Sequence, residues 1–450
     1  MCRNTHLCRR WEKEKKVSEI ENVLRQNDYA DTYINTIAVD RPVWERRKLM
    51  RILCVFGRHN YGKPARGEGY EFTNFLPALK RLGHEVAFFE SLAREPYQDF
   101  KDLNCRLLKE VEQFRPEIMF CVLMQYEVWI ETLRVVRNSG VTVVNWATDD
   151  SWKYRMFSRF VAPELDLSIT TYPGALSWYR RDGIPSVHLS QWAANSDWLA
   201  PPIPADRCRY QVTFIGSSYG KRPGIIQSLR SRGIEVTCFG QGWPAGPVAA
   251  KRIPEVVRES QISVNFSEGS QGGDSGLQNR QIKARVFEVT GSGGCLVTEA
   301  APDLDRYFHL GEEVVVFEGV NDLANKIREL LDHPEKRNAI ARRGHERVRA
   351  EHSYDVRFRD VFGDLTRRIP CRPIQPIDWV AFESAAAKHS CGSGLHLLRM
   401  VLVMLGILVW GRQRGPRAAR RFAVELSWRV FGGWLYSSSG WPGRMFYKES

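Results

Sequence analysis

Short apolar runs alternate with amphipathic stretches along most of the chain, and this rhythm sets the expected fold. Met50 to Gly57, MRILCVFG, reads as a buried strand closed by glycine. A polar, glycine-rich loop, RHNYGKPARGEGYEF, comes next. Phe72, Phe75, Leu76, Leu79 and Leu82 then recur at helical spacing until Gly83 stops the helix. The same pattern predicts strands at His84 to Phe89, Ile118 to Met124, Val141 to Trp146, Leu165 to Thr170 and Ser186 to Ser190. Pro201, Pro202 and Pro204 break the periodicity and predict a linker. Beyond it, strands are expected at Tyr210 to Ile215, Glu235 to Phe239, Ile262 to Phe266, Cys295 to Val297 and Val314 to Phe317, with helices between and after them. Strands alternating with helices build parallel, doubly wound sheets with right-handed crossovers. Two such sheets flank a cleft at the carboxyl ends of their strands, where ligands of these folds bind.

The expected organisation is a charged extension over 1–47 with a helix near Val17 to Gln26, a first α/β domain over 48–195, a linker over 196–207, a second α/β domain over 208–365, a proline-rich connection over 366–394 and a tail over 395–450. The tail holds the most apolar run of the chain, MVLVMLGILVWG, from Met400 to Gly411. Its 12 residues fall short of the roughly 20 that a spanning helix needs. An interfacial anchor is therefore expected, with a helix buried against the body as the other reading. Arg412, Arg414, Arg417, Arg420 and Arg421 follow at once, then Trp428, Trp434, Tyr436, Trp441 and Tyr447, a basic and aromatic mixture suited to a headgroup layer.

Charge sharpens this picture. The formal net charge is +13, and from Leu395 onward nine Lys and Arg stand against two Glu, a net of +7. An excess gathered at one end points to an anionic membrane surface rather than to nucleic acid. Ten cysteines without a CxxC pair read as free thiols in a reducing compartment, with no zinc site. MCRNTHLCRRWEKEKK lacks the apolar core of a secretory signal, so a cytoplasmic protein, peripheral at the inner membrane face, is expected.

The richest chemistry lies in Leu277 to Glu299, LQNRQIKARVFEVTGSGGCLVTE. It reads as a helix that ends on glycine and passes into a strand. Lys283 and Arg285 suit phosphate oxygens, and Glu288, one turn beyond Arg285, suits the two hydroxyls of a ribose. A solvated helix face with a weak Arg285–Glu288 ion pair fits the stretch equally well.

QIKARVFEVTGSGGCLVTE, the segment from Tyr307 to Phe358, and FIGSSYGKRPGIIQSL together resemble the donor-binding half of the CgeB-like group of GT-B glycosyltransferases. They are also similar to the larger nucleotide-sugar family whose second domain carries two glutamates eight positions apart. The resemblance implies the GT-B fold, two Rossmann-like domains facing across a cleft. It also implies a hexosyltransferase that uses a nucleoside-diphosphate sugar as co-substrate, without a metal or other cofactor, and a polysaccharide, lipid-linked or protein acceptor. Glu288 takes the place of the second, ribose-holding glutamate; Arg280 stands where the first would be. Lys283 and Arg285 are expected on the diphosphate, joined by Gly216 and Ser217 through backbone N–H groups and by Arg222 just inside the next helix. The absent first glutamate motivates the alternative, a catalytically silent GT-B protein serving as a membrane-surface structural or assembly factor.

On the acceptor side, Asp149 and Asp150 end a strand at the cleft edge. Asp150 is the candidate for acceptor binding or general base, against an N-cap role for one of the pair. The loop after the first strand adds His59, Lys63, Arg66, Tyr70 and Glu71, and His59 has the pKa range of a base that activates an acceptor hydroxyl. The same loop has no GxGxxG, and Glu90 alone among acids closes the second strand, which argues against a dinucleotide enzyme.

Overall fold

The computed structural model describes residues 49–268, 280–369 and 372–450. The helix expected near Val17 lies outside them. Six strands, β1 (Arg51–Phe56), β2 (Glu85–Glu90), β3 (Ile118–Cys121), β4 (Thr142–Ala147), β5 (Leu167–Thr170) and β6 (Val187–Leu189), form an all-parallel sheet in the order β2-β1-β3-β4-β5-β6. Side chains of a strand alternate between faces, so RILCVF supplies both. Leu53 and Val55 pack with Leu103, Leu107 and Val111, while Ile52, Cys54 and Phe56 pack with Phe75, Ala78 and Leu79. Helices cover both faces, which explains why the strands read as unbroken apolar runs.

The second sheet holds β7 (Tyr210–Ile215), β8 (Val236–Phe239), β9 (Ser260–Asn265), β10 (Leu296–Glu299) and β11 (Val315–Phe317), parallel and ordered β11-β10-β9-β7-β8. On one face Val212, Phe214 and Val297 pack against Leu323, Ile327 and Ile340. On the other, Val286, Phe287 and Val289 of the helix Ala284–Gly291 pack against Leu296. That helix starts later than the sequence suggests: Arg280 and Lys283 precede it, with Lys283 at its N-cap position.

Arg337, 0% exposed, ties this lobe to the linker. Its guanidinium donates to the Ser260 carbonyl at 2.7 Å and the Ile203 carbonyl at 2.9 Å, and also to the Gln261 carbonyl. Burying a cation is costly unless its donors are used, and here the three backbone carbonyls, the Asn338 side-chain oxygen at 3.1 Å and the Cys208 sulfur at 3.7 Å accept them.

The chain crosses twice between the lobes. Ala194 N–H donates to the His352 carbonyl at 2.8 Å and Tyr354 N–H to the Ala194 carbonyl at 2.9 Å, so the outgoing and returning segments are hydrogen-bonded to each other. The helix Tyr354–Arg368, capped by the Ser353 hydroxyl, then lays Tyr354, Phe358, Val361 and Phe362 on the first sheet beside Phe75 and Phe120. The expected second domain, 208–365, takes in most of this segment. Its apolar stripe at helical spacing instead covers a face of the first sheet.

The tail is part of the first lobe as well. Inside the proline-rich connection lies a helix, Trp379–Ala386, capped by Asp378, and its Phe382 and Ala386 enter the same core as Val424, Leu435 and Tyr436. The helix Ser393–Phe431 is interrupted at Gly411, whose φ of 77° only glycine adopts without strain. Its two arms fold back on each other: a Cβ on Gly406 would lie 2.4 Å from the Gly415 carbonyl oxygen, and Leu395, Leu402 and Val403 pack with Ala419 and Ala423. The first arm leaves Met404, Leu408, Val409 and Trp410 exposed, whereas the second buries Ala423 and Val424. The apolar run Met400 to Gly411 is thus exposed rather than buried against the body, and it is the second arm that packs on the first lobe.

Replacing Arg337 by Met leaves three buried carbonyls short of a donor, at about 1–3 kcal/mol each. Urea denaturation is expected to show Arg337→Met less stable by about 3 kcal/mol or more; a loss below about 1 kcal/mol contradicts this account of the linker.

Candidate functional site

Loops from both sheets meet at the carboxyl ends of their strands around a cavity of about 370 Å³. On the first-lobe side the chain after β1 carries His59, Asn60, Tyr61, Tyr70 and Glu71 into the lining, joined by Leu92 after β2, Met124 after β3 and Asp149 after β4. The loop after β1 is held by its own polar groups. Asn60 donates its side-chain amide to the Glu68 carbonyl at 2.9 Å, and the Glu90 carboxylate accepts from Arg58 N–H at 2.6 Å and Leu92 N–H at 2.7 Å. Glu90 is thereby committed to backbone. Gly62, at φ 66°, passes so close to the Leu92 carbonyl that a Cβ would sit 2.1 Å from its oxygen.

The second-lobe wall is Gln281, Lys283, Ala284, Arg285 and Glu288. Arg285 and Glu288 form an ion pair at 2.8 Å, and Glu288 is only 6% exposed. The pair lines the cavity instead of a solvated helix face. Burial lowers the Lys283 ammonium to about 8; the Asp149 carboxylate opposes this shift and the Arg222 guanidinium adds to it. Lys283 therefore sits in the field of a carboxylate from the opposite lobe and of a second cation from its own.

Arg222 opens the helix Arg222–Arg230 and folds back over the loop after β7, its guanidinium 4.0 Å from the Tyr219 ring and donating to the Ser217 carbonyl at 3.0 Å. Gly216 and Ser217 do not line the cavity among the described residues. The Gly216 N–H is used by the Phe239 carbonyl at 2.8 Å, and its carbonyl accepts from the Trp243 indole at 2.8 Å. Sheet closure toward β8 consumes the groups that the sequence reading offered to phosphate, so that expectation is corrected for Gly216.

The aspartate pair divides differently from the expectation too. Asp150 is fully buried, accepts hydroxyls from Ser158 at 2.5 Å and Tyr179 at 3.0 Å, and has its pKa raised chiefly by burial. It is a packing residue with no path to the cleft, and its neighbour Asp149 faces the cavity. The reason is helical geometry: a short helix starts at Asp150 and turns that side chain into the lobe. Glu71 lines the same cavity from the first turn of the helix Tyr70–Arg81, with its carboxyl raised by burial and by Asp149. Two carboxyl groups in one cavity, one of them disfavoured as an anion by burial and by the other's charge, are the kind of pair from which acid/base chemistry is built. Sequence named Glu71 only among several loop residues; its burial and its facing partner are tertiary facts.

Arg280 forms an ion pair with Glu299 at the end of β10, at 3.2 Å, and stays outside the cavity lining. His345 and His352 bond the carbonyls of Gly291 and Tyr307, both at 2.9 Å, in keeping with a packing role. Among the described residues no cluster of His, Cys, Asp and Glu has the makings of a metal site, and the described cysteines are free.

Residues 222–363 match the model of a family described as glycosyl transferase-like. No curated protein matches. Among solved structures, the chain is similar to a sucrose-phosphate synthase from Thermosynechococcus elongatus, with a TM-score of 0.51 and 12% identity over 71% of this chain and 100% of that one. It is also similar to Anabaena Alr3699/HepE in complex with UDP, with a TM-score of 0.48, 12% identity and the same coverage. A glycosyltransferase from Rickettsia africae gives a TM-score of 0.48 at 10% identity, covering 71% of this chain and 99% of that one. The chain has the GT-B fold, and its second lobe with the returning helix carries the match to the glycosyl transferase-like family.

Proposed function

We propose that this protein is a CgeB-like, nucleotide-sugar-dependent glycosyltransferase of the hexosyl class. The observation that carries the reading is one cavity in which Lys283, Arg285 and Glu288 of one lobe face Glu71, His59 and Asp149 of the other. In the reaction, the acceptor hydroxyl oxygen bonds to the anomeric carbon of the donor. The bond from that carbon to the β-phosphate oxygen breaks, and the nucleoside diphosphate leaves with both electrons. Lys283 and Arg285, with Arg222 nearby, stabilise the charge growing on the diphosphate, a task that cations held in a partly dry cleft perform without a metal ion. Glu288, oriented by its pair with Arg285, accepts from the ribose hydroxyls. Glu71 or Asp149 takes the acceptor proton, with His59 beside them. The exposed apolar arm of the hairpin supports a peripheral position on a membrane.

A second reading, the catalytically silent assembly factor, draws support from Arg280, whose ion pair with Glu299 fills the position of the first family glutamate. Slow release of free sugar from a sugar nucleotide without acceptor counts against it.

Adding UDP, GDP or TDP is expected to raise the melting temperature, by about 2.7 kcal/mol of stabilisation at a hundred times Kd. Lys283→Ala with Arg285→Ala removes two charge-assisted contacts worth roughly 1.5–3 kcal/mol each and abolishes the shift. A full panel of nucleotides without any response would falsify the reading.

Affinity for the nucleotide also depends on pH. The ammonium form of Lys283 is the one that binds diphosphate, and in the free protein it gives way to the amine as pH rises through about 8. Binding above that pH takes up a proton, so affinity falls by up to roughly tenfold per pH unit from there. Calorimetry in buffers of different ionisation enthalpy measures the uptake, and Lys283→Arg flattens the profile. An unchanged slope in that variant excludes Lys283 as the titrating group.

A further inference from the structure

Beside the cleft lies a second and larger cavity, of about 470 Å³, which shares Tyr61, Leu92, Met124 and Asp149 with the first. Its walls bring cations from four separate segments. Lys63 and Arg66 come from the loop after β1, Arg94 from the loop after β2 and Lys153 from the turn after β4. Arg417, Arg420 and Arg421 come from the second arm of the C-terminal hairpin. Against these seven cations stand three carboxylates, and each has other work. Glu127 accepts from the backbone N–H groups of Met124 at 2.5 Å and Gln125 at 2.8 Å. Glu449 pairs with Arg399, and Asp149 lies 4.0 Å from Lys153 while facing the cleft. Lys63 is disfavoured as a cation by burial and then by Arg417 and Arg66. Like charges drawn from distant parts of the chain into one concave site form an anion-binding arrangement.

The same hairpin that supplies three of these arginines carries the exposed apolar face. The first arm spans 18 residues from Ser393 to the break at Gly411, about 27 Å at 1.5 Å per residue. Among the described residues, the helix containing it is the one long and apolar enough to cross a membrane, and 6% of its most apolar window is buried. Because the arms fold back at Gly411, the chain returns to the side from which it came. An apolar arm lying in the headgroup and acyl boundary brings Arg417 and Arg421, on the adjoining arm, to headgroup level.

We infer that the acceptor is a membrane-embedded lipid bearing a phosphate or diphosphate, whose anionic group sits in this basic cavity while its sugar reaches past Asp149 into the transfer cleft. The inference rests on the proposed glycosyl transfer and names its acceptor class. Charge complementarity selects the phosphate; the fold-back of the exposed apolar arm onto the arm that supplies Arg417, Arg420 and Arg421 to the cavity wall selects the lipid over a soluble sugar phosphate.

Flotation of the full chain with phosphatidylcholine vesicles tests this. One set carries a prenyl diphosphate; the other carries phosphatidylglycerol at equal net charge. The prenyl diphosphate set is expected to bind at least about tenfold more tightly, and Lys63→Gln with Arg417→Gln and Arg421→Gln is expected to erase the difference. The melting-temperature shift with UDP reads the donor side independently. Equal binding to both vesicle types with that shift intact overturns the lipid acceptor and leaves sugar-nucleotide use standing. Inorganic diphosphate that protects the wild type and its triple variant equally, with no vesicle preference, overturns the cavity's role in phosphate binding. A preference that survives in the triple variant also overturns the assignment to these residues.

Discussion

Positive charge held close together at the carboxyl edges of two sheets is the constraint on which the rest of the molecule depends. Unit charges 4 Å apart interact by about 4 kcal/mol at an effective dielectric near 20, against about 1 kcal/mol in water. Lys283 lies in the field of Arg222, and Lys63 in the fields of Arg417 and Arg66, and in each case the neighbouring cation disfavours the ammonium form. The carboxylates within reach are few and mostly occupied: Glu288 by Arg285, Glu127 by backbone and Glu449 by Arg399.

Holding such groups in place requires a stiff frame, and the crossover provides it. The hydrogen bonds between Ala194 and the segment His352 to Tyr354 join the two passages between lobes. Tyr70, whose ring lines the cleft, hydrogen-bonds through its hydroxyl to that of Tyr354 at 2.9 Å. The helix that seals the first sheet thus also positions the first-lobe wall of the cleft. Buried Arg337 plays the matching part behind the second sheet, where it binds carbonyls of both the linker and β9.

The tail extends this logic to a surface. Its terminal segment is anchored in the first lobe through Leu435 and Tyr436, and the same stretch supports the hairpin whose outer arm is apolar. An arm fixed to the first lobe holds a set orientation relative to the cleft, and the arginines of the hairpin's inner arm belong to the wall of the neighbouring cavity.

Periodicity alone was enough to read two parallel α/β sheets, because strands covered on both faces must be continuously apolar and their helices must carry one apolar stripe. It also located Lys283, Arg285 and Glu288, since cations and a carboxylate packed into six residues before a glycine turn stand out in one dimension. What it could not resolve was direction. Asp149 and Asp150 are adjacent in sequence, and only the start of a helix decides which one faces the cleft. Gly216 has a free N–H in any sequence reading; pairing with β8 removes it. The stripe of Tyr354, Phe358 and Phe362 says that a helix is buried and leaves open against which lobe. Burial, neighbouring charge and the partner of each polar group arise from segments far apart in sequence, so the Asp149 charge acting on Glu71 and the arginines of the hairpin that share a cavity with Lys63 became visible only in the tertiary structure.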